Sequence, residues 1–325
     1  MAKKNGNGKA QKKTAGRVLG PVQVTIGESI DPIYFDCLGI TRGCVTNERD
    51  ESKERTMGSK YRIPYALYRH NFYISAGDAD KTGFSEQDLA RFKEALVHML
   101  EDDRSASRGE MVVRAVCLFK HESRHGNDFA HKLLARVNVT KKEGVDTPSS
   151  FEDYVVTVDR DSLPKGVEFE EVGWSSPVPE NGQAVIHNRI EGVLLVDVKN
   201  GNPNGDPDAD GRPRQCPITG KGIITDVCIK RKIRNYILSR YADEQGMRIF
   251  FQEGAVLDNL ISKPYETDEA TKKAYEAGGP KNAKNAQNLA QKVLCRDFYD
   301  IRTFGAVLST GSEEGEDSAV ATDGD

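Results

Sequence analysis

The run "IEGVLLVDV" at 190–198 constrains this chain more than any other stretch, because its crowded apolar residues fit a buried strand. It opens directly into "DVKNGNPNGDPDADGRPR", residues 197–214, a dense polar loop with three asparagines, four aspartates and repeated glycine and proline breaks. Three chemistries suit such a loop: a metal site, an acid catalyst, or a segment whose backbone grips a ligand. Around it the periodicities predict further elements. Strands are expected over 18–31, 111–119, 154–158 and 298–308. "FSEQDLARFKEALVHMLEDD" predicts a helix, with Ser85 and Asp88 as a capping box and Leu89, Phe92, Leu96 and Leu100 on one stripe. A second helix opens near Thr225, with Ile229, Ile233, Tyr236 and Ile237 as its buried stripe. Residues 258–295 are polar and read as helical in part. Strands alternating with helices give an α/β or α+β fold, and no internal repeat is present.

At 325 residues the chain can bury one large core or two smaller ones. Its net charge of −4 gives no global preference for polyanions, yet the charge is segregated. Residues 1–17 carry six Lys/Arg and no acid, while 311–325 carry six Asp/Glu and no base. Both ends are polar and rich in Gly and Ala, so both are expected to be disordered. "GWSSPVPENGQAVIHN", 173–188, reads as a linker. The six cysteines (37, 44, 117, 216, 228, 295) show no C-x-x-C pair, and no apolar stretch is long enough for a signal sequence or membrane span. The expectation is a cytoplasmic protein with unpaired thiols, no cofactor and no membrane partner.

Several motifs fail on their own physical requirements. "DPDADG" at 206–211 matches the start of a calcium loop, but the position needing a bidentate Glu is Pro217 and no helix precedes it. "HESRH" at 121–125 has the spacing of a zinc protease motif, which works only on a helix; here a β-like run ends just before it and Gly126-Asn127 follows. "TGKG" at 219–222 lacks the full phosphate-loop pattern. No metal site and no catalytic set is expected. More informative is the basic cluster Lys230, Arg231, Lys232 and Arg234. It is either a solvated helix face or a phosphate-binding one. Asn200, Asn202 and Asn204 would suit the second as donors, and Gly201 and Gly205 would let backbone N–H groups approach a ligand.

At these residues a resemblance enters. "LLVDVKNGNPNGDPDADGRPR", "GIITDVCIKRKIRNYI" and "FYDIRTFGAVLST" resemble the first half of the backbone subunit of type I-C CRISPR Cascade, CRISPR-associated protein seven. "GPVQVTIGESIDPI", "ITR", "RTMGSKYRIPYALYR", "KTGFSEQDL", "DDRSASRGEM" and "FKHESRHGNDFAHKL" resemble its second half. The likeness covers roughly 16–172 and 188–310, with the halves in reversed order, as in a circular permutant. Residues 173–188 would then join the family's old termini.

The resemblance implies an α+β fold. Its ferredoxin-like, RRM-type palm would be built from 190–199, 225–240, 298–308, 18–31, 85–101 and 111–119, with the two halves in one domain. A thumb hairpin is implied at about 35–65 and helical fingers at about 245–295. It further implies a subunit without catalytic activity. Copies would line up head-to-tail on a CRISPR guide RNA and present it to target DNA beside other Cascade subunits. On family-like positions the RNA-binding candidates are Asn200, Asn202, Asn204 and Arg214 in the loop. Lys230 and Arg234 would be palm contacts, with Arg42, Arg55, Met57 and Lys60 in the thumb. Related type III subunits cleave target RNA with an aspartate after the first palm strand, so Asp206, Asp208 and Asp210 keep guide-directed cleavage as the alternative. An unrelated RNA-binding module is a third reading, which would need the motif matches to be coincidence.

Overall fold

The computed structural model describes residues 13–42, 56–174 and 182–309. Along the chain, β1 (Thr14–Leu19), β2 (Val22–Val24), β3 (Gly27–Pro32) and β4 (Asp36–Arg42) lead to the long strand β5 (Thr56–Ile74). Helices α1 (Ala76–Thr82) and α2 (Glu86–His98), strand β6 (Glu110–His121) and helix α3 (Ala130–Leu134) follow. Next come β7 (Val137–Lys141), β8 (Tyr154–Val158), β9 (Val167–Glu171) and β10 (Ile190–Gly201). The polar loop holds β11 (Gly205–Asp206) and β12 (Arg212–Pro213), then β13 (Lys221–Ile224) runs into α4 (Asp226–Tyr241). Helices α5 (Leu257–Ser262), α6 (Pro264–Thr267), α7 (Glu269–Glu276), α8 (Pro280–Asp297) and α9 (Tyr299–Phe304) precede the last strand, β14 (Gly305–Ser309).

The fold is mixed, with antiparallel sheets, as expected of the α+β class. Its main sheet runs β13-β3-β5-β10-β6-β9, with β2 and β4 also pairing β5. Strand β10 sits inside, antiparallel to both β5 and β6. That position explains the consecutive apolar residues 193–196. Leu194, Val196 and Val198 face a core shared with α2 and α4, while Val193 and Leu195 face a second core against α3 and β7–β8. A strand buried on both faces has no polar side to alternate with. Helix α2 has the expected capping box, and Leu89, Phe92, Leu96 and Leu100 are all buried. Thr225 caps α4 by accepting from the Cys228 amide.

The C-terminal strand differs from the expectation over 298–308. Residues Tyr299–Phe304 form a helix with every side chain buried, which removes the periodicity that would have marked it. Only Gly305–Ser309 is strand, and it pairs with β1 in a separate two-stranded sheet, Thr14 opposite Ser309 and Leu19 opposite Gly305. The expected strand over 18–31 is likewise split. Its start belongs to β1, and β2 and β3 join the main sheet beside β5. Residues 13–17, expected to belong to a disordered tail, are described and packed. Ala15 and Val18 are buried in a third core with α5, α6, α8 and α9, and Lys13 pairs with Glu266 at 2.8 Å. Residues 1–12 and 310–325 lie outside the described residues, as does 175–181 of the linker.

The rest of the linker is packed. Gly182 and Ala184 carbonyls accept from the Gln87 and Glu86 amides, and Ile186 is buried. Strands β4 and β5 form the expected projecting hairpin, with Asp36 opposite Arg62 and Arg42 opposite Thr56. The stretch 257–297 carries helices α5 to α8, as the partly helical reading of 258–295 predicts. No described helix is long and apolar enough to cross a membrane.

Candidate nucleic-acid interface

The polar loop after β10 does not stand alone. It meets the segment 102–109, "DDRSASRG", backbone against backbone. A Cβ on Gly201 would collide with the Arg108 carbonyl, and Gly109 adopts φ +63° beside the Asn200 carbonyl. Glycine is therefore required at both positions for the loops to touch. The Asn202 amide donates to Ser107 O at 2.8 Å, locking the contact. Together with the first turns of α4, the two loops enclose an open groove of about 810 Å³. Arg108, Arg214, Arg231 and Lys232 line it, with Ser105, Ser107, Asn202 and Asn204 between them.

Each candidate can now be placed. Asn204 is structural: its Oδ1 accepts from the Thr225 amide at 2.9 Å and the Thr225 hydroxyl at 3.0 Å, tying the loop to the cap of α4. Asn202 donates its Nδ2 to Gly211 O at 2.8 Å, while its buried Oδ1 has no partner among the described residues. The Arg214 Nε is a second buried atom with no partner among the described residues, although its Nη2 reaches Asp206 at 3.4 Å. Two orphaned polar atoms on one groove wall suit a polar ligand, since leaving them unsatisfied costs stability. Asn200 is exposed at the strand end with φ 54°, a left-handed conformation that asparagine tolerates.

Lys230 and Arg234, expected as palm contacts, do not line the groove. Both are buried. Lys230 pairs with Asp226 at 2.9 Å, and Arg234 Nε donates to Asp300 at 3.0 Å between the Phe251 and Phe304 rings. Helix α9 and residues 250–251 cover the flank that looked solvated in the sequence. On the hairpin, Met57 is 79% exposed, whereas Lys60 Nζ donates to the Ala106 carbonyl and so braces the groove's second loop. Arg55 lies outside the described residues, and of Arg42 only the backbone at the end of β4 is described.

Two of the loop's aspartates have partners of their own. Asp206 caps a short 3-10 turn over 207–209, and Asp210 accepts from the Tyr61 hydroxyl at 3.4 Å. His121 of "HESRH" ends strand β6 and is buried against Glu191, and its segment is not helical. Among the described residues no group of three His, Cys, Asp or Glu could hold a metal ion. Sequence reasoning missed Arg108 and the serines of 105–107 as groove residues. Their motif was visible, but nothing local says that it packs against 202–214.

The family profile of CRISPR-associated protein Cas7 matches residues 2–159 and 188–322, which is most of the chain. The chain belongs to the Cas7 family. A CRISPR-associated protein Cas7 of Haloferax volcanii is 31% identical over 135 residues, 41% of this chain and 36% of that protein. The match thus spans about a third of the relative's length. Within the family match the groove draws its residues from both segments, with Arg108 in the first and Arg214, Arg231 and Lys232 in the second.

Proposed function

We propose that this Cas7-family protein is a non-catalytic, guide-RNA-binding backbone subunit of a type I-C CRISPR Cascade in the cytoplasm. Copies line up head-to-tail along the guide, hold its sugar-phosphate backbone, and present its bases to target DNA beside the other Cascade subunits. The observation that carries this reading is the groove, where four cationic side chains, hydroxyls and asparagines surround the capped start of α4. Such contacts position a strand without reading its sequence, as a subunit serving any guide requires. The projecting β4–β5 hairpin, with Leu38, Ile40 and Met57 exposed, suits a thumb that crosses the strand.

The palm reading draws support from connectivity, with β2–β3 taking the place expected for 298–308 and β5 the place expected for 18–31. Followed from Ile190, the main elements come in the order β10, α4, β2–β3, β5, α2, β6 when residue 14 is taken to follow 309. Across the sheet they lie β6-β10-β5-β2/β3. That is the β-α-β-β-α-β pattern of an RRM-type palm, its first strand between the third and the fourth. The same order supports a circular permutation, as do the Thr14–Ser309 pairing and the unmatched stretch 160–187 between the two family segments. Joining Ser309 to Lys13 through a short loop and opening the chain within 175–181 should therefore give a folded protein. Its thermal midpoint, followed by circular dichroism, should lie within a few degrees of the parent. An unfolded product would contradict the permutation.

Function is tested by co-expression with a CRISPR array and the guide-processing endonuclease. The purified protein should carry small RNA of uniform length. Incubated with Mg²⁺ or Mn²⁺ and a labelled complementary RNA, that complex should leave the RNA intact. Co-purified RNA without uniform length would overturn the backbone reading. Cleavage products that vanish in Asp206→Ala or Asp208→Ala would make the protein a guide-directed ribonuclease instead.

A further inference from the structure

Every cation of the groove already has a carboxylate. Arg214 reaches Asp206 at 3.4 Å and Arg231 reaches Glu253 at 3.5 Å, both long and partly exposed contacts. Asp103 is different. Its Oδ1 meets Arg108 Nη1 and its Oδ2 meets Lys232 Nζ, so a single carboxylate bridges the two cations. The Lys232 side chain is only 4% exposed and that of Asp103 11%, which places the bridge inside the groove wall rather than on its rim.

We propose that Asp103 is a specificity-determining residue: its carboxylate occupies the place of a backbone phosphate and must be displaced when nucleic acid enters the groove. The inference rests on the reading of the groove as the RNA site. A carboxylate and a phosphate offer the same paired acceptor oxygens to a guanidinium, so one can stand in for the other. While the groove is empty, the bridge holds Arg108 and Lys232 in place and removes the cost of leaving Lys232 buried and unpaired. An arriving strand must exchange that contact for its own. A lone anion gains too little from the exchange. A strand that also meets Asn202, Arg214 and Arg231 gains enough, so stray phosphates and brief encounters are rejected while a strand seated along both loops is retained. Specificity of this kind comes from a built-in competitor rather than from added attraction.

The geometry makes a signed forecast. Removing the carboxylate should tighten binding to a short labelled single-stranded RNA of arbitrary sequence. It should also steepen the salt dependence, because no freed carboxylate then recovers counterions from solution. Burial, with a further lowering by Arg108 and Arg231, holds the Lys232 ammonium down at about 8. The comparison therefore belongs at pH 6.5, well below that value, where this lysine is protonated in the wild type.

Fluorescence anisotropy on the full chain, with wild type, Asp103→Asn, Asp103→Glu and Arg214→Ala, tests the proposal. Asp103→Asn should bind about tenfold tighter, Asp103→Glu should return towards wild type, and Arg214→Ala should bind more weakly. Inorganic phosphate should compete with RNA better in Asp103→Asn than in wild type. If Asp103→Asn does not fold, Asp103→Ser removes the same charge with a smaller side chain. Unchanged or weaker binding in a folded Asp103→Asn or Asp103→Ser protein, with Arg214→Ala still weakened, overturns the role of Asp103 and leaves the groove intact. Full binding in Arg214→Ala instead removes the groove reading itself, and the role of Asp103 with it.

Discussion

Replacing Arg234 by alanine should unfold this protein at a markedly lower temperature while leaving the salt dependence of its RNA binding unchanged. Arg234 is buried, and its partner Asp300 is fully buried. Asp300 also accepts from the Phe250 amide at 2.8 Å and the Phe251 amide at 3.1 Å, so it anchors α9 to the segment entering the helical layer. Without the guanidinium, a carboxylate would remain in the interior held by two amides alone. Breaking one side of such a pair costs about 3–5 kcal/mol, and at roughly 2 °C per kcal/mol for a chain this large the midpoint should fall by about 6–10 °C. Differential scanning calorimetry measures it. A midpoint unchanged within 1–2 °C, with RNA affinity lost, would return Arg234 to the interface that its sequence neighbourhood suggests.

That contrast shows where the sequence is legible and where it is not. Local signals are accurate where a cap or an apolar stripe marks the element. The Ser85–Asp88 capping box, the Thr225 cap and the stripe Ile229, Ile233, Tyr236, Ile237 stand where spacing puts them. So does the internal strand at 190. What spacing cannot supply is the second layer over an element. Asp88 caps its own helix, but it also receives the buried Arg302 guanidinium at 2.6 and 2.9 Å, from 214 residues away. Helix α4 has an apolar stripe and a basic flank, and only the packing of α9 turns that flank into interior.

The same limit explains the strand expected over 298–304. A segment buried on all sides keeps no period, so helix and strand look alike in its sequence. For the candidate site the outcome is split for the same reason. The loop 200–214 was found because glycine and asparagine density is a local property. Arg108 was missed because its meeting with Gly201 is a long-range event.

The central claim is that the groove between 102–109 and 202–214 holds an RNA backbone through its cations. Arg108 and Arg214 both line it, one from each segment of the family match. Each guanidinium offers a charge-assisted contact of about 1.5 kcal/mol or more, so removing both should weaken binding by roughly 100-fold. Each lost phosphate contact should also flatten the plot of log affinity against log salt by about 0.7 for a single strand. The deciding measurement is that plot for the wild type and for Arg108→Ala/Arg214→Ala, taken with several unrelated RNA sequences. The account predicts that the double variant loses affinity for all of them about equally and that its slope becomes shallower by about 1.4. An unchanged slope, or a loss confined to one sequence, would contradict it.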